Sequence, residues 1–174
     1  MSDRFVDVLT SRRSIRRFHP DDIPDTTIAR IINAGTLAPT AGNMQAWYFY
    51  VVREEYLRRK LAEAALGQGF ISQAPVAFVI CADLERARAA YRDRGVDLYC
   101  IQETAAAAQN MLLTITAMGL GACWVGAFDE RAVSDLLDLP GHHRPLIVMP
   151  LGRPARPARN PGRLSLNEVY SEVD

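Results

Sequence analysis

Lysine is almost missing from this chain: Lys60 stands alone among 20 basic residues, so nearly all positive charge is arginine. Arginine keeps its charge at any ordinary pH and carries a planar fork that matches phosphate and carboxylate. Cysteine is scarce too. Cys81, Cys100 and Cys123 are odd in number and form no C-x-x-C, which excludes a disulfide framework and points to inert thiols in a reducing, cytoplasmic setting. There is no excess charge of either sign, with 20 acidic residues against 20 basic. A general attraction to nucleic acid or to anionic lipid is therefore not expected. Met1–Thr10 holds Asp3, Arg4 and Asp7 and no apolar run, so no signal peptide is expected. The uncharged stretch Thr104–Phe128 contains Gln109, Asn110, Thr114, Thr116 and three glycines. It is too polar and too interrupted for a membrane span. His19, His142 and His143 stand at no ligand spacing from any cysteine or carboxylate, and no metal site is expected. No G-x-S-x-G and no P-loop occur, and Arg53-Glu54-Glu55 follows the first strand where a dinucleotide fold would want glycines.

The 174 residues, 49% hydrophobic and 23% charged, suit a single domain over 1–174. Apolar spacing predicts helices over Asp3–Thr10, from Pro24-Asp25 through Leu37, over Glu54–Leu66, over Val96–Gly119 and from Asp129 to Leu137. Runs of β-branched and aromatic residues predict strands over Trp47–Arg53, Val76–Ala82, Ala122–Val125 and Pro145–Leu151. Pro154, Pro157 and Pro161 make the tail extended and lay it on a surface. The pattern implies an α+β fold with a mixed sheet covered by helices.

Four segments can carry chemistry. Val8–Pro20 contains Arg12, Arg13, Arg16 and Arg17 and no acid. Arg12, Arg13 and Arg16 can converge on one anion, with Ser14 adding a hydroxyl. Ile15 and Phe18 pack that loop against the body. Ala38–Trp47 leaves a helix through small and polar residues, with Asn43 and Gln45 able to address the edge of a heterocycle. Gly119–Asp129 ends a strand in Gly126-Ala127 and offers a flat wall with free backbone N–H groups. The tail carries Arg153, Arg156, Arg159 and Arg163, and no acid occurs over Gly141–Asn167.

Taken in order, Arg12–Phe18, Ala38–Trp47, Gly119–Gly121 with Trp124–Phe128, and the arginine-bearing tail resemble the FMN-dependent nitroreductase superfamily, over about Phe5–Tyr170. The resemblance implies a short, minimal member without long insertions over the site. It implies an intertwined homodimer, the C-terminal tail packing on the partner, with FMN at the interface. Arg12, Arg13, Ser14 and Arg16 match positions that bind the phosphate and the pyrimidine end of the ring. Pro39, Thr40, Ala41 and Asn43 match contacts from the other subunit. Trp124, Val125, Gly126 and Ala127 match the segment along the ring, Gln68 a polar contact to it, and Arg163 and Arg153 basic residues near the phosphate. The family often has a lysine among the phosphate ligands; here arginine takes that place.

The implied chemistry belongs to the cofactor. NAD(P)H is expected to reduce FMN, and a nitroaromatic, a quinone or a similar electron-poor acceptor then takes the electrons from the same slot in a ping-pong cycle. No side chain is expected to act as a catalytic base. The rival readings are a non-catalytic FMN carrier or sensor, and a flavin-fold enzyme with another outcome such as reductive dehalogenation or flavin reduction.

Overall fold

The computed structural model describes residues 4–173. Helix α1 (Arg4–Ser11) and helix α2 (Asp25–Thr36) come first, and a 3-10 turn at Ala41–Asn43 leads into strand β1 (Trp47–Val52). Helices α3 (Glu55–Ala64) and α4 (Phe70–Gln73) precede strand β2 (Val76–Asp83). Helix α5 (Leu84–Arg94), kinked at Arg92 where φ is 49°, one π turn at Gly95–Tyr99 and helix α6 (Cys100–Ala117) follow. Strand β3 (Gly121–Ala122), helix α7 (Glu130–Leu137) and strand β4 (His143–Gly152) complete the body.

The sheet order is β1-β2-β4-β3, and all three ladders are antiparallel. The expected mixed sheet thus becomes an antiparallel one. Among the described residues the only parallel pairing is an isolated bridge between Ser14 and Ala122. Alternating strands and helices suggested parallel neighbours; the connection from β2 through α5 and α6 does bring β3 back in the same direction as β2, but β4 lies between the two, so every pair of neighbouring strands is antiparallel.

All eight residues of β2 are buried. Side chains alternate across a strand, and this one feeds two cores. Val76, Phe78 and Ile80 join Ile28 and Ile31 of α2 and Met111, Leu112 and Ile115 of α6 on one face. Ala77, Val79 and Cys81 join Leu61 of α3 and Val133 of α7 on the other. Burying each large apolar side chain stabilises the fold by about 1.5–3 kcal/mol. The result is a helix–sheet–helix sandwich with the strand ends left for chemistry.

Several expected boundaries shift. The start of the first helix at Asp3 lies outside the described residues. Helix α5 was not anticipated. Its sequence is strongly charged, and among its residues only Ala87 is buried, so it shows no apolar stripe. The long helix expected from Val96 begins as a π turn and is α-helical from Cys100. The expected strand Ala122–Val125 is paired as β3 only at Gly121–Ala122, and Val125 makes a separate bridge to Val148. Strand β4 runs from His143 rather than Pro145. Asp129 caps α7 as expected, accepting the N–H groups of Arg131 and Ala132. The tail lies on its own chain at Arg153–Ala155, beside Arg17–His19, and is mostly exposed beyond that. Among the described residues no helix is long and apolar enough to cross a membrane.

Candidate functional site

Helix α1 ends as Arg12 N–H donates to Val8 O at 3.0 Å, and the chain then lies against β3. Ile15 N–H donates to Ala122 O at 2.9 Å, His19 N–H to Arg153 O at 2.9 Å and Ala155 N–H to Arg17 O at 3.0 Å. The approach is close enough that a Cβ on Gly121 would stand 2.4 Å from Ile15 Cγ1. Ile15 and Phe18 therefore fix the backbone while Ser14 and Arg16 remain exposed. Arg12, Arg13, Ser14 and Arg16 line one depression together with Arg159 and Arg163 of the tail. Among the described residues none of these arginines has a carboxylate within 4.0 Å. Arg13 instead donates to Thr10 O at 2.6 Å, and Arg163 to Gly162 O at 2.7 Å. Arg153 differs from them: its Nε lies 3.2 Å from Asp21 Oδ2, and it does not line this depression.

Trp124–Ala127 continues from the same place. Val125 is buried and is held by paired bonds to Val148, while Trp124, Gly126 and Ala127 are exposed. Gln68 Nε2 donates to Ala127 O at 3.2 Å, which joins the expected ring contact to the expected ring wall. The Arg16 guanidinium lies 5.7 Å from the centre of the Phe70 ring, next to this group. Burial pushes the Cys123 thiol above its ordinary range, against the opposing pull of Arg16.

Pro39, Thr40, Ala41 and Asn43 stand elsewhere. Their loop is left-handed at Gly42, Asn43 and Gln45. Glu103 of α6, buried at 5% exposure, accepts Ala41 N–H at 2.9 Å and Ala46 N–H at 3.1 Å. Thr40 Oγ1 accepts Gln45 N–H at 3.0 Å. This loop sits over the start of α6, where Thr40 and Ala41 share a depression with Tyr99 and Gln102. The arginine segment sits at the other end, where Arg13 and Ile15 share one with Thr116 and Gly119. At 1.5 Å per residue the two places are about 20 Å apart along the helix.

No local motif marks Glu103 as the clamp of this loop. A second group was also missed. His142 and His143, without a carboxylate at any usual spacing along the chain, meet Asp83 in space. One ligand atom from each lies within 4.8 Å of the others. Tyr50 Oη and His143 Nδ1 are 2.7 Å apart. Burial, with His142 alongside, holds the His143 imidazole below the ordinary histidine range.

The chain is similar to the NADH dehydrogenase of Thermus thermophilus, at 34% identity over 91% of this chain and 90% of that protein. Among solved structures, the NADPH:FMN oxidoreductase of Vibrio harveyi complexed with NAD+ superposes with a TM-score of 0.90 at 28% identity, over 98% of this chain and 77% of that one. A nitroreductase family protein of Streptococcus pneumoniae superposes with a TM-score of 0.88 at 25% identity, over 97% and 100%. The model of the nitroreductase family matches residues 9–70 and 66–153, which takes in the arginine loop, the Glu103-clamped loop and the Trp124–Ala127 wall. On that match the chain belongs to the nitroreductase family.

Proposed function

We propose that the chain is an NAD(P)H-dependent oxidoreductase that holds FMN on the face built by Arg12–Arg16, Gln68 and Trp124–Ala127, and that a second copy completes each site. The observation that carries this reading is the set of arginines around Ser14 with no carboxylate partner among the described residues. Converging cations need an anion, and a single terminal phosphate supplies about two charges and three strong acceptors. Arg12, Arg13, Arg159, Arg163 and the Ser14 hydroxyl fit that group. Arg16, at the edge of the depression beside Phe70, is placed to favour negative charge at the pyrimidine end of a flavin. Gly126 and Ala127 present little side chain, so a planar ring can lie against them and Gln68 can address its polar edge.

Bound FMN supplies the hydride and electron transfer. The protein's part is to bind, orient and polarise, and no side chain of this face is needed as a base. NADH or NADPH is the electron donor, and flat electron-poor compounds such as quinones and nitroaromatics are the acceptors. Selectivity requires buried polar groups that penalise a wrong ligand, and Asn43, Gln45, Trp124, Gly126 and Ala127 are all exposed.

Distance supports the dimer. Pro39, Thr40, Ala41 and Asn43, the positions that the family resemblance assigns to flavin contacts, lie about 20 Å along α6 from this chain's own arginine face, which suits a contact made across to a partner. Phe5, Val6 and Leu9 of α1 and Leu164, Leu166 and Tyr170 of the tail are exposed in the single chain, and a partner would cover such apolar groups. The purified protein is expected to be yellow, to release FMN on heating, to bleach with NADH or NADPH without oxygen, and to scatter light as twice the chain mass. A colourless protein that stays empty after FMN addition would refute the reading. Bound flavin that neither nicotinamide bleaches would favour a carrier.

A further inference from the structure

We propose that Asp83, His142 and His143 form a binding site for a divalent transition metal of the zinc class. Their side chains are two imidazoles and one carboxylate, a donor set such ions favour. The backbone already holds the three together. Asp83 ends β2 and His143 opens β4, and the two are cross-strand partners in the antiparallel ladder. Leu84 N–H donates to His142 O at 2.8 Å, which fixes the second histidine over the β2–α5 junction.

The two carboxylate oxygens of Asp83 are divided between tasks. Oδ1 accepts Arg86 N–H at 3.0 Å and caps α5. Oδ2 lies 3.9 Å from His143 Nε2. Around a tetrahedral ion with bonds of about 2.1 Å, ligand atoms stand about 3.4 Å apart. The observed group, all within 4.8 Å, closes to that shape by small side-chain rotations. Tyr50 Oη, 2.7 Å from His143 Nδ1, can accept the Nδ1 proton and leave Nε2 free for the metal. An outer partner of this kind orients a ligating histidine. Glu85 Oε1 lies 3.8 Å from His142 Nδ1 but outside the group of three, so water takes the fourth position. Asp83 and His143 side chains are nearly buried, at 6% and 7%, while His142 at 34% leaves a way in.

One group opposes the metal. Arg86 Nε lies 3.0 Å from Asp83 Oδ2 and neutralises the carboxylate. Its side chain is half exposed and can swing into solvent, so arginine and metal compete for one oxygen. This competition makes the test specific.

The experiment is a calorimetric titration of zinc chloride into the untagged full-length protein after chelator treatment and desalting. The expected result is one zinc per chain. His142→Ala and Asp83→Asn should each weaken binding roughly tenfold or more, and Tyr50→Phe about tenfold. Asp83→Asn keeps an oxygen to cap α5, and His142→Ala keeps the backbone bond from Leu84, so both variants should retain the fold. Arg86→Ala should bind zinc more tightly than the parent. No zinc binding, binding undiminished in both His142→Ala and Asp83→Asn, or an Arg86→Ala variant that binds no tighter would each overturn the proposal.

Discussion

Glu103 reaches across 62 positions of sequence to accept the backbone N–H of Ala41 at 2.9 Å. Its other oxygen accepts Ala46 N–H at 3.1 Å, so one buried carboxylate closes both ends of the loop. Between those ends the chain takes left-handed geometry at Gly42, Asn43 and Gln45, which only a firm frame can hold. Hydrogen bonds to a charged group are worth about 1.5–3 kcal/mol each. Glu103→Ala should therefore lower stability by about 3 kcal/mol in urea denaturation at fixed chain concentration. Glu103→Gln keeps an acceptor for only one N–H and should lose about half as much. An alanine variant within about 0.5 kcal/mol of the parent, the range of ordinary surface changes, would show that the clamp does not hold the loop.

Arg12→Ala should raise the FMN dissociation constant about tenfold or more, since one charged hydrogen bond exceeds the 1.4 kcal/mol of a tenfold change. Arg12 lines the arginine depression without a carboxylate partner among the described residues. Arg153 is the contrasting case: family likeness puts it near the phosphate, but its guanidinium is paired with Asp21. Arg153→Ala should shift the constant by less than about twofold, because Arg153 is turned to Asp21 and does not line the arginine depression. Titrating apo-protein with FMN and following flavin fluorescence decides it, and equal losses in the two variants would remove Arg12 from the phosphate site.

Much of the layered body is legible in the sequence, because burial writes its period into the chain. The apolar run Val76–Ala82 announces a strand buried on both faces, and Asp129 announces the start of α7. What is not legible depends on register and on distant partners. Strand direction is one example, since alternation of strands and helices does not say which way each strand returns. Helix α5 is another: with only Ala87 buried it carries no stripe to detect. Glu103 looks like any charged residue of a helix until Ala41 and Ala46 are folded onto it. Asp83 and His143 are unrelated in spacing and become neighbours only through the ladder between β2 and β4. The arginine loop was readable for the opposite reason, since its residues are local and their lack of acids shows directly.

The three cysteines are all free and buried. Burial pushes the Cys81 thiol up to about 12 and raises Cys100 and Cys123 as well. Because the thiolate is the reactive form, the native protein should take up no disulfide reagent at pH 8, whereas the urea-unfolded chain should react three times. The same shift carries a sign for stability. A thiol whose folded pKa is raised adds stability that is fully present below about pH 9 and is lost as pH rises toward about 12. Denaturation midpoints followed from pH 8 upward should fall across that window, and Cys81→Ser should flatten the fall. Rapid labelling of the native protein at pH 8 would contradict the burial.

Gly121 and Gly126 belong to one segment and should respond oppositely to an added methyl group. At Gly121 a Cβ would stand 2.4 Å from Ile15 Cγ1 and 2.8 Å from Ile15 Cβ. Those atoms lie near the stem of a branched side chain, on a loop pinned by Ile15 N–H to Ala122 O, so they cannot yield without moving the arginine segment. Overpacking of this kind costs about 1–3 kcal/mol. Gly121→Ala should therefore lower the melting temperature and weaken FMN binding together. At Gly126 a Cβ would have Trp124 Nε1 as its nearest neighbour, at 3.7 Å, which is ordinary contact. Gly126→Ala should fold with an unchanged melting temperature in the absence of flavin. Its methyl group would stand on the wall proposed for the ring, so FMN affinity and turnover should fall while stability does not. Thermal melts of flavin-free protein, paired with FMN titrations, separate the two effects. A Gly126→Ala variant with full FMN affinity and full turnover would move the ring away from this wall.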